Sequence, residues 1–173
     1  DVLKIAEDFD SPLYVYHAEK IQEQYRKLTK AFSKTNVKIK YACKALSNIN
    51  ILRLLQEEGS GLDTVSLNEV KLGLKAGYDP KDIIYTPNGI SFEEIKEAAE
   101  LGVQINIDNT SILEQFGHYY GSKIPVCIRI DPHILAGGNV KISTGHIDSK
   151  FGISIYQLRH VERIVESTGI HVN

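Results

Sequence analysis

A parallel α/β fold built toward an eight-stranded (β/α)8 TIM barrel is predicted by three observations. Apolar strand-like runs alternate with helical segments, the runs recur at near-constant spacing, and helix-start signals fall in register with them. The runs cover residues 37–44, 61–66, 83–87, 104–108 and 125–131. Counted from Lys44 through Ser66, Pro87, Asn109 and Asp131, their ends recur roughly every 22 residues. Strands alternating with helices imply a parallel sheet with right-handed crossovers, either open and doubly wound or closed into a barrel. Near-constant spacing favours the barrel. An open dinucleotide-binding sheet would want a glycine-rich first turn, and no G-x-G-x-x-G occurs.

Taken in chain order, residues 13–16 (LYVY) read as an extra strand ahead of the repeats, and residues 17–33 as a helix with Ile21, Tyr25, Leu28 and Phe32 along one side. After KALSN, whose Ser-Asn pair signals a helix start, Ile49, Leu52 and Leu55 form an apolar stripe that can pack on a sheet. Later helices are announced by Ser-x-x-Glu/Gln capping boxes beginning at Ser66, Ser91, Ser111 and Ser154. Helix ends are punctuated by Gly59, Gly77 and Gly102, as left-handed caps require. The connection 132–153 exceeds ordinary βα loop lengths and is expected to be a lid, an interface or mobile. Residues 169–173 read as the start of another strand. Five units and a sixth strand start do not close a barrel of about 250 residues. The chain is therefore expected to be the front part of something longer, inactive alone, with residues 17–173 forming the partial barrel and residues 1–16 associated with a separate C-terminal β domain. With no methionine anywhere, its N-terminus is expected to be processed or trimmed.

The 173 residues, 42% apolar and 24% charged, suffice for a packed core, so disorder is not expected. Twenty basic and 22 acidic residues are scattered along the chain and leave no patch for nucleic acid. No apolar run approaches a membrane span, and the acidic start DVLKIAEDFD is unlike a secretory signal, so a soluble cytoplasmic protein is expected. Cys43 and Cys127 each lie in a strand-like run without ligand spacing and read as buried, reduced thiols. His133 and His146 lack a carboxylate cluster of suitable spacing, so they read as surface histidines and no metal is expected.

The first repeat carries the chemistry. In a barrel strand alternate side chains face the helices and the lumen. Val37, Ile39, Tyr41 and Cys43 form the apolar set, which turns Lys40, Ala42 and Lys44 inward. Lys44 is then the last inward residue at the C-terminal end of the strand, where barrel enzymes place their active sites. A lysine amine is a poor nucleophile in bulk water, since near neutral pH only about one in a few thousand is unprotonated. Partial desolvation in a barrel mouth would raise that fraction and favour bonding to a carbonyl. A lysine that merely snorkels from the strand end to water is the alternative.

The segment KYACKALSN resembles the Y-A-x-K-A-N-S-N motif of the fold type III, alanine-racemase-like pyridoxal-phosphate enzymes. SPLYVYHAEKI is similar to their T-P-x-Y-V-Y opening, and GSGLDTVSLNEVKLGLKAGYDPKDIIY to G-x-G-x-D-V-V-S-x-x-E-x-x-x-A-L-x-A-G. RIDPHILAGGNVKISTGHIDSKFGI resembles R-x-N-P…S-T-G-x-x-D-S-K-F-G-I, the form found in decarboxylases acting on diaminopimelate. Leu46 departs from the usual Asn and Cys43 from the usual Val or Ile. What the resemblance implies is an N-terminal barrel, a C-terminal β domain that takes the first strand of the chain, and a homodimer. It implies pyridoxal 5'-phosphate as cofactor, with Lys44 bonded covalently to it, Asp63 as a strand-end acid beside that lysine, and Arg129 as a basic residue on the barrel floor. Residues 148–152 match family positions near the active site and dimer contact. The implied activity is decarboxylation of meso-2,6-diaminopimelate to L-lysine, the last step of lysine biosynthesis. Decarboxylation of ornithine, arginine or a carboxylated polyamine, and a non-catalytic binding protein, are the rival expectations.

Overall fold

The computed structural model describes residues 2–134 and 150–173 and separates into two compact units, Asp1–Val37 and Lys38–Asn173. In the first unit, helix α1 (Val2–Phe9) precedes helix α2 (Ala18–Ala31). His17 caps α2 by accepting the Lys20 N–H on Nδ1 at 3.2 Å. Between the helices, residues 13–16 form no strand, because a strand exists only through a partner's hydrogen bonds and none pairs with them; their side chains are exposed. The strand expected there is assigned to a separate β domain, and no such partner is among the described residues.

The second unit holds five parallel strands in the order β1 (Lys40–Ala42), β2 (Gly61–Thr64), β3 (Ile83–Tyr85), β4 (Gln104–Ile107) and β5 (Val126–Ile128). Sequential order with no reversal is the barrel arrangement, since a doubly wound sheet changes direction at a switch point. Helices α3 (Ile49–Glu57), α4 (Leu67–Ala76), α5 (Phe92–Glu100) and α6 (Thr110–Tyr120) follow the first four strands, and each packs on the next. A short strand β6 (Ile130–Asp131) continues β5 and pairs in parallel with β7 (Ile153–Ser154); α7 (Leu158–Thr168) then packs on α6. The expected sixth strand start is present as a bridge from Val172 to Val126, with Val126 N–H donating to His171 O and Asn173 N–H donating to Val126 O, both at 2.9 Å. It begins after Gly169 rather than at it, because Gly169 is the left-handed cap of α7.

All the covering helices bury one face of the sheet. Leu62, Thr64, Ile83, Tyr85, Ile105, Ile107 and Val126 are all buried, whereas the alternating Asp63, Ile84, Gln104, Asn106 and Cys127 are partly exposed. Contact on the helix side is close enough to select residue size. A Cβ on Gly73 of α4 would sit 2.5 Å from Leu62 Cδ2 and 3.2 Å from Ile83 Cδ1. Helix starts follow their caps, with Ser66 accepting the Glu69 N–H, Ser91 the Glu94 N–H, and Asn48, rather than Ser47, the Asn50 N–H. Two starts differ from expectation. Asn109, not Ser111, caps α6 by accepting the Ile112 N–H at 2.9 Å, so the helix begins two residues sooner, and Ser154 caps a 3-10 turn (Ile155–Gln157) ahead of α7. Gly59, Gly77 and Gly102 all take the positive φ expected of helix ends. Among the described residues no helix is long and apolar enough to cross a membrane.

Candidate active site on the uncovered face of the sheet

The sheet face without helices is polar, and the strand register builds it. Ala42 pairs with Asp63, Asp63 with Ile84, Ile84 with Gln104, and Asn106 with Cys127, so these side chains share one face. Along that face hydrogen bonds run from strand to strand. Asn106 Nδ2 donates to Thr86 Oγ1 at 2.9 Å, and Thr86 Oγ1 donates to Asp63 Oδ1 at 3.5 Å. Gln104 Nε2 donates to Cys127 Sγ at 3.0 Å. Higher on the strands, Asn88 Nδ2 donates to Asp108 Oδ2 at 2.6 Å and Asn109 Nδ2 to Asp108 Oδ1 at 3.2 Å.

Asp63 lies within electrostatic reach of Lys44 and Arg129, with no hydrogen bond or ion pair joining the three among the described residues. Burial raises the proton affinity of Asp63, and the charge of Lys44 is the largest influence opposing that shift, followed by the Thr86 hydroxyl and the charges of Arg129 and Lys40. Asp63 thus lies within the field of three cations from the first and fifth strand regions. Lys44 itself differs from expectation. β1 ends at Ala42, so Lys44 is not the last strand residue but sits in the 3-10 turn (Cys43–Ala45) that follows, exposed within this chain. The turn forms because Leu46 N–H returns to Cys43 O at 3.1 Å while Tyr41 OH donates to Leu46 O at 3.3 Å. Position 46 therefore contributes only backbone to these contacts, so leucine there leaves the turn intact. Arg129 lies between β5 and β6, toward the C-terminal end of the strand. Its N–H donates to Ile107 O and its guanidinium covers the Phe151 ring at 4.7 Å.

Cys43 is fully buried, and its thiol is pushed up to about 11 by burial with the charges of Glu69 and Asp63 adding to it. Cys127 is not buried with it but half-exposed on the polar face, because the register sets its side chain beside Asn106. Both thiols are free. His133 is no surface histidine. Its side chain is 13% exposed, Nε2 shares a hydrogen bond with Ser154 Oγ at 2.6 Å, its N–H donates to buried Asp131 Oδ1 at 2.9 Å, and its ring stacks on Tyr156 at 5.3 Å. Pairing of β6 with β7 creates that enclosure by setting Ser154 opposite Asp131. His146, most of the 132–153 connection and positions 148–149 lie outside the described residues. Among the described residues no group of three or more His, Cys, Asp or Glu side chains could hold a metal ion.

Thr86, Asn106 and Asp108 belong to this face by a signal that the family motifs do not carry. In QINID and YTPN polar residues recur with period two beside buried apolar ones, the mark of a strand whose second face is polar.

A polar, hydrogen-bonded face carrying an acid on a parallel sheet of barrel order is where barrel enzymes build their active sites. Residues 18–173 match the family model described as the pyridoxal-binding domain of pyridoxal-dependent decarboxylases, and the chain belongs to that family. It is 36% identical over 180 residues to the diaminopimelate decarboxylase of Methanothermobacter thermautotrophicus, covering 100% of this chain and 42% of that protein. The Bacillus subtilis diaminopimelate decarboxylase is 34% identical, over 99% of this chain and 41% of its own length. Among solved structures, the Helicobacter pylori diaminopimelate decarboxylase complexed with L-lysine superposes with a TM-score of 0.88 at 30% identity, covering 99% of this chain and 46% of that one. A lysine/ornithine decarboxylase from Vibrio vulnificus complexed with putrescine gives 0.80 at 25% identity, covering 99% and 42%. The chain thus spans less than half the length of these relatives.

The face suits pyridoxal phosphate on an observation independent of kinship. Asn106 Oδ1 is buried without a hydrogen-bond partner among the described residues, on the face where Thr86 links its amide to Asp63. Such an acceptor calls for a polar ligand.

Proposed function

We propose that the protein containing this chain decarboxylates meso-2,6-diaminopimelate to L-lysine and carbon dioxide in the cytoplasm, as a homodimer using pyridoxal phosphate. The observation that supports this reading is a polar sheet face on which Asp63 lies within the electrostatic reach of Lys44 and Arg129. The relatives named above supply the substrate. Residues 13–16, exposed and without a strand partner, suit the β domain of such a protein as an added strand.

Pyridoxal phosphate, when bound, supplies an electron sink for the charge left on the substrate carbon as carbon dioxide departs. Lys44 offers the amine that anchors the cofactor, and its place just beyond β1 leaves Nζ accessible to an incoming aldehyde. Asp63, when ionised, holds cationic nitrogen near this face by charge attraction. Thr86 and Asn106 fix the carboxylate from the strand side, and Arg129 adds a fixed positive charge toward the C-terminal end.

Borohydride reduction of the cofactor-loaded protein, followed by peptide mass spectrometry, should find the pyridoxyl group on Lys44, and Lys44→Ala should lose it completely along with lysine production. Incubation with diaminopimelate, lysine, ornithine and arginine separately reads out the substrate. Turnover of lysine or ornithine but not diaminopimelate would instead favour the activity named for the Vibrio vulnificus enzyme. A protein that takes up no cofactor would be a binding protein on an enzyme scaffold.

A further inference from the structure

Asn106 ends the hydrogen-bond relay of the polar face, and its amide is only half used. Nδ2 is committed to Thr86 Oγ1 at 2.9 Å, while Oδ1 is buried and unpaired among the described residues. With Asn106 donating to it, the Thr86 oxygen keeps its own hydrogen for Asp63 Oδ1, 3.5 Å away. The direction of this relay depends on the charge of Asp63. A carboxylate can only accept, so Thr86 must donate to it and must itself accept from an amide N–H. A protonated Asp63 would donate to Thr86, whose hydrogen would then turn to Asn106, and the amide would rotate to accept with Oδ1. The group Asn106 leaves for a ligand is therefore an acceptor when Asp63 is ionised and a donor when it is neutral.

We infer that Asn106 contacts the ligand, its Oδ1 accepting a hydrogen bond from a hydroxyl, ring N–H or ammonium of the cofactor or the substrate, and that Thr86 is a positioning residue that keeps this acceptor available while Asp63 is ionised. The inference rests on the reading above that pyridoxal phosphate and an amino acid occupy this face. Leaving a buried acceptor unpaired costs free energy, which a ligand donor recovers. Asp63 faces the charges of Lys40 and Lys44 from β1 and the following turn and of Arg129 from the fifth strand region, and the Cys43 thiol lies in its field. Burial prevails over these cations and raises its proton affinity, so the relay inverts above the usual aspartate range.

The test uses the full protein stripped of cofactor and titrated with pyridoxine 5'-phosphate, which lacks the aldehyde and so binds without bonding to Lys44. The cofactor-loaded protein is titrated with L-lysine in parallel. Asn106→Ala should weaken one of these ligands roughly tenfold, the loss expected for a buried hydrogen bond. Weakening of pyridoxine 5'-phosphate assigns the donor to the cofactor, and weakening of L-lysine alone assigns it to the substrate. Wild-type affinity should fall as acid protonates Asp63, Thr86→Val should bind more weakly at neutral pH with a shallower fall because only the charge of Asp63 is then lost, and Thr86→Ser should restore both affinity and pH profile. A thermal melt of each variant reports its folding. Equal binding of both ligands by wild type and Asn106→Ala, or an unchanged acid limb in Thr86→Val, overturns the inference. Failure of the underlying reading looks different, as a wild type that takes up neither ligand and forms no pyridoxyl adduct on Lys44.

Discussion

The two faces of the sheet, built from the same strands one residue out of phase, have opposite character. On the helix side Leu62, Ile83, Tyr85, Ile105 and Phe116 are fully buried in a continuous apolar core. On the other side the side chains in between are Asp63, Thr86, Gln104, Asn106 and Cys127, linked by hydrogen bonds and crossed by the field of three cations. Period-two alternation thus divides labour within each strand, with stability assigned to one set of residues and chemistry to the next. Substitutions should separate accordingly.

The largest effect belongs to the core. Phe116 of α6 has no exposed surface and packs on the Tyr120 ring at 4.6 Å, so Phe116→Ala should cost about 3–5 kcal/mol of stability. Chemical denaturation measures the loss, and borohydride labelling of the fraction still folded should yield the same adduct on Lys44. A variant that melts normally but cannot attach the cofactor would break the division between faces.

A smaller effect of opposite sign is expected on the polar face. Burial raises the Asp63 proton affinity in the folded state, so the carboxylate form costs stability there. The cost is absent below the unfolded pKa and appears as pH rises through the raised folded value. Asp63→Asn should therefore raise the melting temperature near neutral pH, and the gain should vanish in acid. A variant less stable than wild type at neutral pH would mean that Asp63 is bound into the fold by the three cations more strongly than burial opposes it.

Much of this division could be read in the sequence. Strand positions and their parallel order followed from periodicity and capping, because Leu62, Ile83, Ile105 and Ile107 alternate and Ser66 and Ser91 stand where the helices begin. What could not be read depends on contacts between distant segments. Enclosure of His133 needs β6 to pair with β7 far along the chain, and the position of Lys44 past the strand depends on a turn closed by Tyr41 and Leu46. Residues 13–16 have a strand's composition but no partner in the described residues. The relay that joins Asn106 and Thr86 to Asp63 is not legible in the sequence, because only the register aligns the three strands' side chains.

The smallest prediction sharpens how far a local signal can be trusted. Ser91 and Ser111 both open a Ser-x-x-Glu motif, yet only Ser91 caps a helix, accepting the Glu94 N–H at 3.3 Å. Ser111 already lies inside α6, whose first free N–H groups are served by Asn109, and its oxygens instead meet the Gln115 amide. Ser91→Ala should cost about 1 kcal/mol by leaving a helix-end N–H without its side-chain acceptor. Ser111→Ala should stay within about 0.5 kcal/mol, because alanine is the better helix former and only an exposed side-chain contact is lost. Asn109→Ala should resemble the first and not the second. The helix cap is thus set by where the chain leaves β4 rather than by the motif, since Asn109 follows buried Asp108 at the strand end and its Nδ2 is tied to that carboxylate. Equal losses for Ser91→Ala and Ser111→Ala would show instead that the motif acts wherever it occurs.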